Sequence, residues 1–128
     1  MNYNDYIQFV KERAGIKSDA AAKKAIETVF EVLGQRITIG QAEDLAAALP
    51  PELRPYLGQM PEAESFDSRE FLRRVSEKEG VAPGTAEEHA RAVLSVLAEW
   101  VPRAELRDTL EQIPNDMRNL FAWTKKAA

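Results

Sequence analysis

His89 is the only histidine in the sequence and the first residue to consider for chemistry. A catalytic histidine needs a nucleophile within reach and an acidic side chain that orients its ring. The hydroxyl candidate, Ser95, lies six residues further on, on another face of the predicted helix, and no G-x-S-x-G motif surrounds it. We therefore predict that His89 is a half-exposed residue at the border of the core and not a catalytic base.

The other residue types that carry chemistry are absent or dispersed. The chain has no cysteine, so thiolate catalysis and thiolate metal sites are excluded, and one histidine cannot build a multi-histidine site. The helical pattern places acidic residues such as Glu43, Glu77 and Glu79 on solvated faces, where their pKa would not rise enough for acid catalysis. The six glycines form no phosphate-binding loop. These patterns predict no catalytic residue, no metal and no cofactor, and hence a protein that is not an enzyme.

Arg69, Arg73 and Arg74 form a short basic edge on one predicted helix. Glu70 and Glu77 are interleaved with them at helical spacing, which is typical of surface ion pairs. The net charge of −4 also gives no general attraction to nucleic acid. Nucleic-acid binding through this edge is therefore kept only as a third alternative.

The elements that would position these residues are all predicted to be helices. Apolar residues recur three and four positions apart, and no segment alternates apolar and polar residues over the length of a strand. The glycines Gly15 and Gly80 are predicted to end helices in the left-handed conformation. Ser18 is predicted to begin the second helix, and Pro83 to lie in the first turn of its counterpart.

The two halves of the sequence match each other. At an offset of 65 residues the apolar and punctuating positions coincide, and further along the offset becomes 64. The matching pairs at the first offset are Tyr6/Phe71, Ile7/Leu72, Val10/Val75, Gly15/Gly80, Ala25/Ala90 and Val29/Leu94, and at the second Asp44/Asp108, Pro50/Pro114 and Arg54/Arg118. Because glycines and prolines agree as well as the apolar stripes, the sequence predicts an internal duplication.

The predicted fold is all-α, with two tandem helical repeats that pack as one compact helical bundle. Each repeat has three helices and a short fourth. The first repeat covers residues 1–58 and the second 66–124; residues 59–65 form a linker, and 125–128 a frayed C-terminus. No window is apolar enough to cross a membrane, and the N-terminus is unlike a signal peptide, so we expect a cytoplasmic protein.

Two stretches carry a family resemblance. GQRITIGQAEDLAAALPPELR, residues 34–54, and FLRRVSEKEGVAPGTAEEHARAVLSVLAEWVP, residues 71–102, resemble a bacterial family known as the domain of unknown function 2267 family. The resemblance implies a helical bacterial domain. It implies no activity, cofactor or catalytic residue.

Function is expected where the two repeats disagree. Phe9 stands opposite Arg74 in the alignment, Trp100 opposite Gln35, and His89 opposite Lys24, while Trp123 lies beyond the repeat. Residues of this kind either seal the interface between the repeats or form a docking surface. The candidate interaction surface is therefore Phe9, His89, Trp100 and Trp123.

Three hypotheses about function follow. The first is a non-enzymatic interaction or adaptor module that binds a partner protein or itself. The second is a small-ligand regulatory sensor, with an apolar pocket between the two repeats that is edged by His89. Nucleic-acid binding is the third.

Overall fold

The computed structural model describes residues 2–57 and 63–122, and within these ranges every regular element is a helix. Trp123 and the predicted frayed C-terminus lie outside the described residues, as does most of the predicted linker. The elements are α1 (Tyr3–Ala14), α2 (Asp19–Arg36), α3 (Ile39–Ala47), a 3-10 helix (Pro51–Tyr56), α4 (Ser68–Glu79), α5 (Pro83–Trp100), α6 (Arg103–Glu111), α7 (Asn115–Arg118) and a second 3-10 helix (Asn119–Phe121). The predicted all-α class is confirmed.

The helix ends follow from their capping residues. Gly15 and Gly80 end α1 and α4 with φ values of 67° and 76°, a backbone conformation that favours glycine. The Ser18 side chain accepts a hydrogen bond from the Ala21 N–H at the start of α2. Pro83 occupies the first turn of α5, where its missing N–H has no consequence.

Helices α2 and α5 form the centre of the molecule. They contact each other, and both α1 and α4 pack against the two of them. Helix α1 thus contacts the central helix of the second half, and α4 contacts that of the first. Buried side chains of both halves therefore form one core; the largest fully buried ones include Tyr6, Phe30, Leu33, Leu53, Phe71, Leu94, Leu97 and Met117.

The same order of lengths recurs along the chain. Helices α1 and α4 have 12 residues, α2 and α5 have 18, and α3 and α6 have 9. The segment after the third helix differs, because it is a 3-10 helix in the first half but begins as α-helix in the second. The helix bounds relate α1 to α4 at an offset of 65 residues but α2 to α5 at 64, so the offset changes in the connection before α2 and not after it. The pairing of α2 with α5 at an offset of 65 was therefore wrong: Trp100 corresponds to Arg36 and His89 to Ala25.

Polar side chains join α3 to α6 across the halves. Gln41 donates a hydrogen bond to the Thr109 hydroxyl at 2.9 Å, and both side chains are buried. The Thr38 N–H donates to the Gln112 side chain, also at 2.9 Å. Thr38 and Gln41 have capping-box spacing, but Gln41 points towards α6, so the acceptor for the Thr38 N–H comes from the other half.

Candidate interaction surface

Phe9 and Trp100 line a single open hollow between α1 and α5. Its volume is about 210 Å³, and it is lined by Phe9, Arg13, Val96, Glu99 and Trp100. Phe9 is 39% exposed, an unusual value for a large apolar side chain in this protein. The structure thus brings together two of the four residues that the sequence assigned to the candidate surface.

Packing holds the Trp100 side chain at the inner wall of the hollow. Its ring lies 5.2 Å from the ring of Tyr6, which is fully buried in α1 and makes an edge contact with Phe30. The Tyr6 hydroxyl donates a hydrogen bond to the Val93 carbonyl in α5, at 2.8 Å. Trp100 therefore contributes to the packing of α1 against α5, while its outer side lines the hollow.

The rim of the hollow is an ion pair. Arg13 donates to the Ser95 hydroxyl at 2.8 Å and forms a salt bridge with Glu99. Ser95 in turn donates to the Ala92 carbonyl. Arg13 and Val96 were not among the predicted residues of this surface. Arg13 lies four residues after Phe9 on α1, and Val96 four residues before Trp100 on α5, so each shares a helix face with its neighbour in the hollow.

His89 lies elsewhere, in the interior between α4 and α5. Its ring Nδ1 is 2.5 Å from the Glu79 carboxylate, and the two residues are 9% and 5% exposed. The other Glu79 oxygen, Oε1, is buried and has no hydrogen-bond partner among the described residues. A half-exposed His89 and a solvated Glu79 were therefore wrong predictions. Residues 80–82 form a short connection that folds the end of α4 back onto α5, and the projection of one helix cannot reveal that contact.

Two of the three arginines of the basic edge on α4, Arg73 and Arg74, form ion pairs with acidic neighbours. Arg73 contacts Glu70 at 2.7 Å and Glu77 at 2.6 Å, while Arg74 contacts Glu70 and Glu64 at 2.8 Å. Hydrogen bonds from the two guanidinium groups lower the pKa of Glu70 from 4.5 to about 2. At neutral pH Glu70 therefore remains ionised beside Arg73 and Arg74.

This network makes stability depend on pH. Because the pKa of Glu70 is lower in the folded chain, its stabilising effect is present above about pH 4.5 and is lost as the pH falls towards 2. We expect Glu70→Gln to lower the midpoint of thermal unfolding at pH 7 and to leave it unchanged near pH 2. Calorimetry from pH 2 to 7 measures this difference. A difference that stays constant across that range would contradict the assignment.

A second groove runs between α2 and α4. It has a volume of about 340 Å³ and is lined by Gln35, Glu64, Arg73, Arg74, Glu77 and Lys78. Arg74 donates to the Gln35 side chain at 2.9 Å, and Lys78 contacts Glu31 at 2.7 Å. In this groove Arg74 stands at the position that Phe9 has in the hollow between α1 and α5.

A third hollow lies along α6 and has a volume of about 340 Å³. Its lining residues are Arg103, Leu106, Arg107, Leu110, Glu111 and Arg118. His89 lines none of these three hollows. Within residues 2–57 and 63–122, no three His, Cys, Asp or Glu side chains are grouped as a metal ion would require.

None of the helices in the described part of the chain has both the length and the apolar character needed to span a membrane.

Comparison with known proteins gives a family. Residues 3–120 match the family described as "Uncharacterized conserved protein (DUF2267)". No curated protein matches the chain. Because the match extends over nearly the whole sequence, the chain belongs to the DUF2267 family.

Proposed function

We propose that this protein is a non-enzymatic interaction module that binds a partner protein through the hollow between α1 and α5. The observation that carries the proposal is the half-exposed Phe9 beside Trp100 at the contact of the two halves. Exposed aromatic residues next to a preformed recess are typical of binding surfaces, because they bury much apolar area at little entropic cost. The cysteine-free composition supports action in the cytoplasm.

We also propose that the chain is a tandem duplication of one helical unit. The recurring lengths of 12, 18 and 9 residues support it, as does the reciprocal packing of α1 on α5 and α4 on α2. If the units share one scaffold, residues that differ at equivalent positions are free to serve functions outside it. Phe9 and Trp100, which correspond to Arg74 and Arg36, are such residues.

The hydrogen bonds of His89 and Ser95, the two residues considered for catalysis, support a non-enzymatic function. The His89 ring is held by the buried Glu79 carboxylate, and the Ser95 hydroxyl is held between Arg13 and Ala92. Neither side chain contacts the other in the contacts described, so the pairing that activates a serine is not formed.

The proposal predicts that Phe9→Arg removes binding of the partner. Arginine at this position would remove the aromatic ring from the hollow and add a second guanidinium beside Arg13, whose partner Glu99 is already engaged. Ile39→Arg is the matched control, because Ile39 is 43% exposed and lies on α3. The measurement is quantitative capture from a lysate of the source organism with the original chain and both variants. We expect the amount of captured partner protein, or of a captured second copy of the chain, to fall at least about tenfold with Phe9→Arg. With Ile39→Arg it should equal the amount captured by the original chain.

Equal capture by the two variants would remove Phe9 from the binding surface and contradict the proposal. Sedimentation velocity of the purified chain then decides whether the recovered partner is a second copy. Self-association through the hollow predicts that Phe9→Arg makes the chain monomeric and that Ile39→Arg does not.

A further inference from the structure

The hollow between α1 and α5 and the groove between α2 and α4 occupy corresponding places in the two halves. Helices α1 and α4 correspond at an offset of 65 residues and α2 and α5 at an offset of 64, so Phe9 and Glu99 of the hollow correspond to Arg74 and Gln35 of the groove. Both pairs join a 12-residue helix to the end of an 18-residue helix from the other half. The polar groove therefore indicates what kind of occupant this arrangement accepts.

A segment of the chain itself lies in the polar groove. The Glu64 N–H donates to the Gln35 carbonyl at 2.8 Å, and the Glu64 carboxylate contacts Arg74. Two residues further on, Phe66 lies under the Arg74 guanidinium, whose carbon is 4.1 Å from the ring centroid. Arg36 fixes the same residue by donating to the Phe66 carbonyl at 2.8 Å. The occupant is thus a short irregular segment outside the helices, held by one backbone hydrogen bond, one acidic side chain and one aromatic ring.

The hollow has a backbone acceptor at the same place as the polar groove, but its side chains differ. The Glu99 carbonyl lies in the last turn of α5, as the Gln35 carbonyl does in α2, where carbonyls have no partner within the helix. Phe9 replaces Arg74, and Arg13 at the rim is already paired with Glu99, so an acidic side chain would have less counter-charge there than in the polar groove. A large apolar side chain would instead bury its surface against the rings of Phe9 and Trp100.

We infer that the hollow binds an extended segment of a partner protein, which donates a backbone hydrogen bond to the Glu99 carbonyl and places a large apolar side chain between Phe9 and Trp100. The inference rests on the proposed function and adds the chemistry of the bound segment. Many protein domains recognise peptides in this way: hydrogen bonds to the peptide backbone provide affinity, and recesses for its side chains provide specificity.

The test uses two peptides derived from the occupant of the polar groove. The acidic probe has the sequence of residues 63–68, and the apolar probe carries the change Glu64→Leu within it. Each is titrated into the full-length chain bearing Trp123→Phe, so that Trp100 gives the only indole N–H signal in the NMR spectrum. We expect the apolar probe to shift this signal in a saturable manner, at least about tenfold more tightly than the acidic probe.

Phe9→Arg supplies the decisive comparison, because it gives the hollow the cation that the polar groove has in Arg74. In this variant the preference should reverse in favour of the acidic probe, whereas Ile39→Arg should leave it unchanged. The inference would be overturned if either probe bound the original chain and Phe9→Arg with equal affinity. It would also be overturned if the apolar probe showed no saturable binding to the original chain. Shifts of the Trp100 signal on simple dilution of the chain would also overturn it, since they would assign the hollow to a second copy.

The proposed interaction surface and the proposed extended segment can be disproved independently of each other. If the captured partner depends on Phe9 but neither probe binds, the inferred extended segment is wrong and the interaction surface stands. If capture is independent of Phe9, the proposed function itself is wrong.

Discussion

Replacing His89 with alanine should lower the free energy of unfolding by about 3–5 kcal/mol. The Glu79 side chain is 4% exposed, and among the described residues only His89 contacts its Oε2 atom in the interior, while Oε1 has no partner there. Removing the imidazole would leave a buried carboxylate with neither water nor a hydrogen-bond donor. Denaturation by urea, followed by circular dichroism, measures the loss.

A double variant controls for the lost volume. Replacing Glu79 and His89 together with leucine removes the polar group as well as its partner, so the double variant should be more stable than His89→Ala. Loss of less than about 1 kcal/mol in His89→Ala would mean that the carboxylate finds other partners. The buried pair would then have no special role in joining α4 to α5.

Replacing Tyr6 with alanine should have an effect of similar size, about 3–5 kcal/mol. The ring is fully buried in α1, contacts Phe30 and Trp100, and donates its hydroxyl to the Val93 carbonyl of α5. Burial raises the pKa of the hydroxyl well above its usual value of 10, so it keeps its proton and its role as donor at every physiological pH. The substitution would leave a cavity between α1 and α5 and remove the support of the Trp100 ring.

Tyr6→Phe separates packing from hydrogen bonding in this prediction. It keeps the ring contacts and removes one hydroxyl, so it should cost only about 1 kcal/mol. The comparison is made by the same urea titration, with the fluorescence of Trp100 in a Trp123→Phe background as a second reading. Equal losses in the two variants would contradict the packing argument.

The sequence was sufficient wherever a local rule decides the structure. Gly15 and Gly80 end helices because the backbone needs a left-handed residue there, and Ser18 caps a helix because its side chain reaches the free N–H groups. These effects act within a few residues, so they are visible in the pattern of residue types. The apolar stripes likewise predicted that Tyr6, Ile26 and Leu94 are buried.

The sequence was insufficient where a second helix decides the environment. Glu79 has a polar position in the pattern of α4, yet α5 covers it and His89 meets it there. Gln41 has the spacing of a capping residue, but Thr109 of α6 is its partner. For the candidate surface, the disagreement between the halves selected Phe9 and Trp100, which line one hollow, and also His89, which does not.

The stability and the proposed binding of this protein meet at Trp100. Its inner side contacts Tyr6 and helps to join α1 to α5, whereas its outer side contributes to the hollow beside Phe9. A change at Trp100 would therefore affect folding and binding together. Phe9 is the better probe of binding alone, because its side chain is largely outside the core.

Photo-crosslinking from position 9 in living cells tests the central claim most directly. A photoreactive phenylalanine analogue is placed at Phe9 in one version of the full chain and at Ile39 in the other, and the crosslinked products are identified by mass spectrometry. We expect one dominant product from position 9, in which a partner protein is joined to the chain, and no such product from position 39. The same products from both positions, or none from position 9, would contradict a binding surface between α1 and α5.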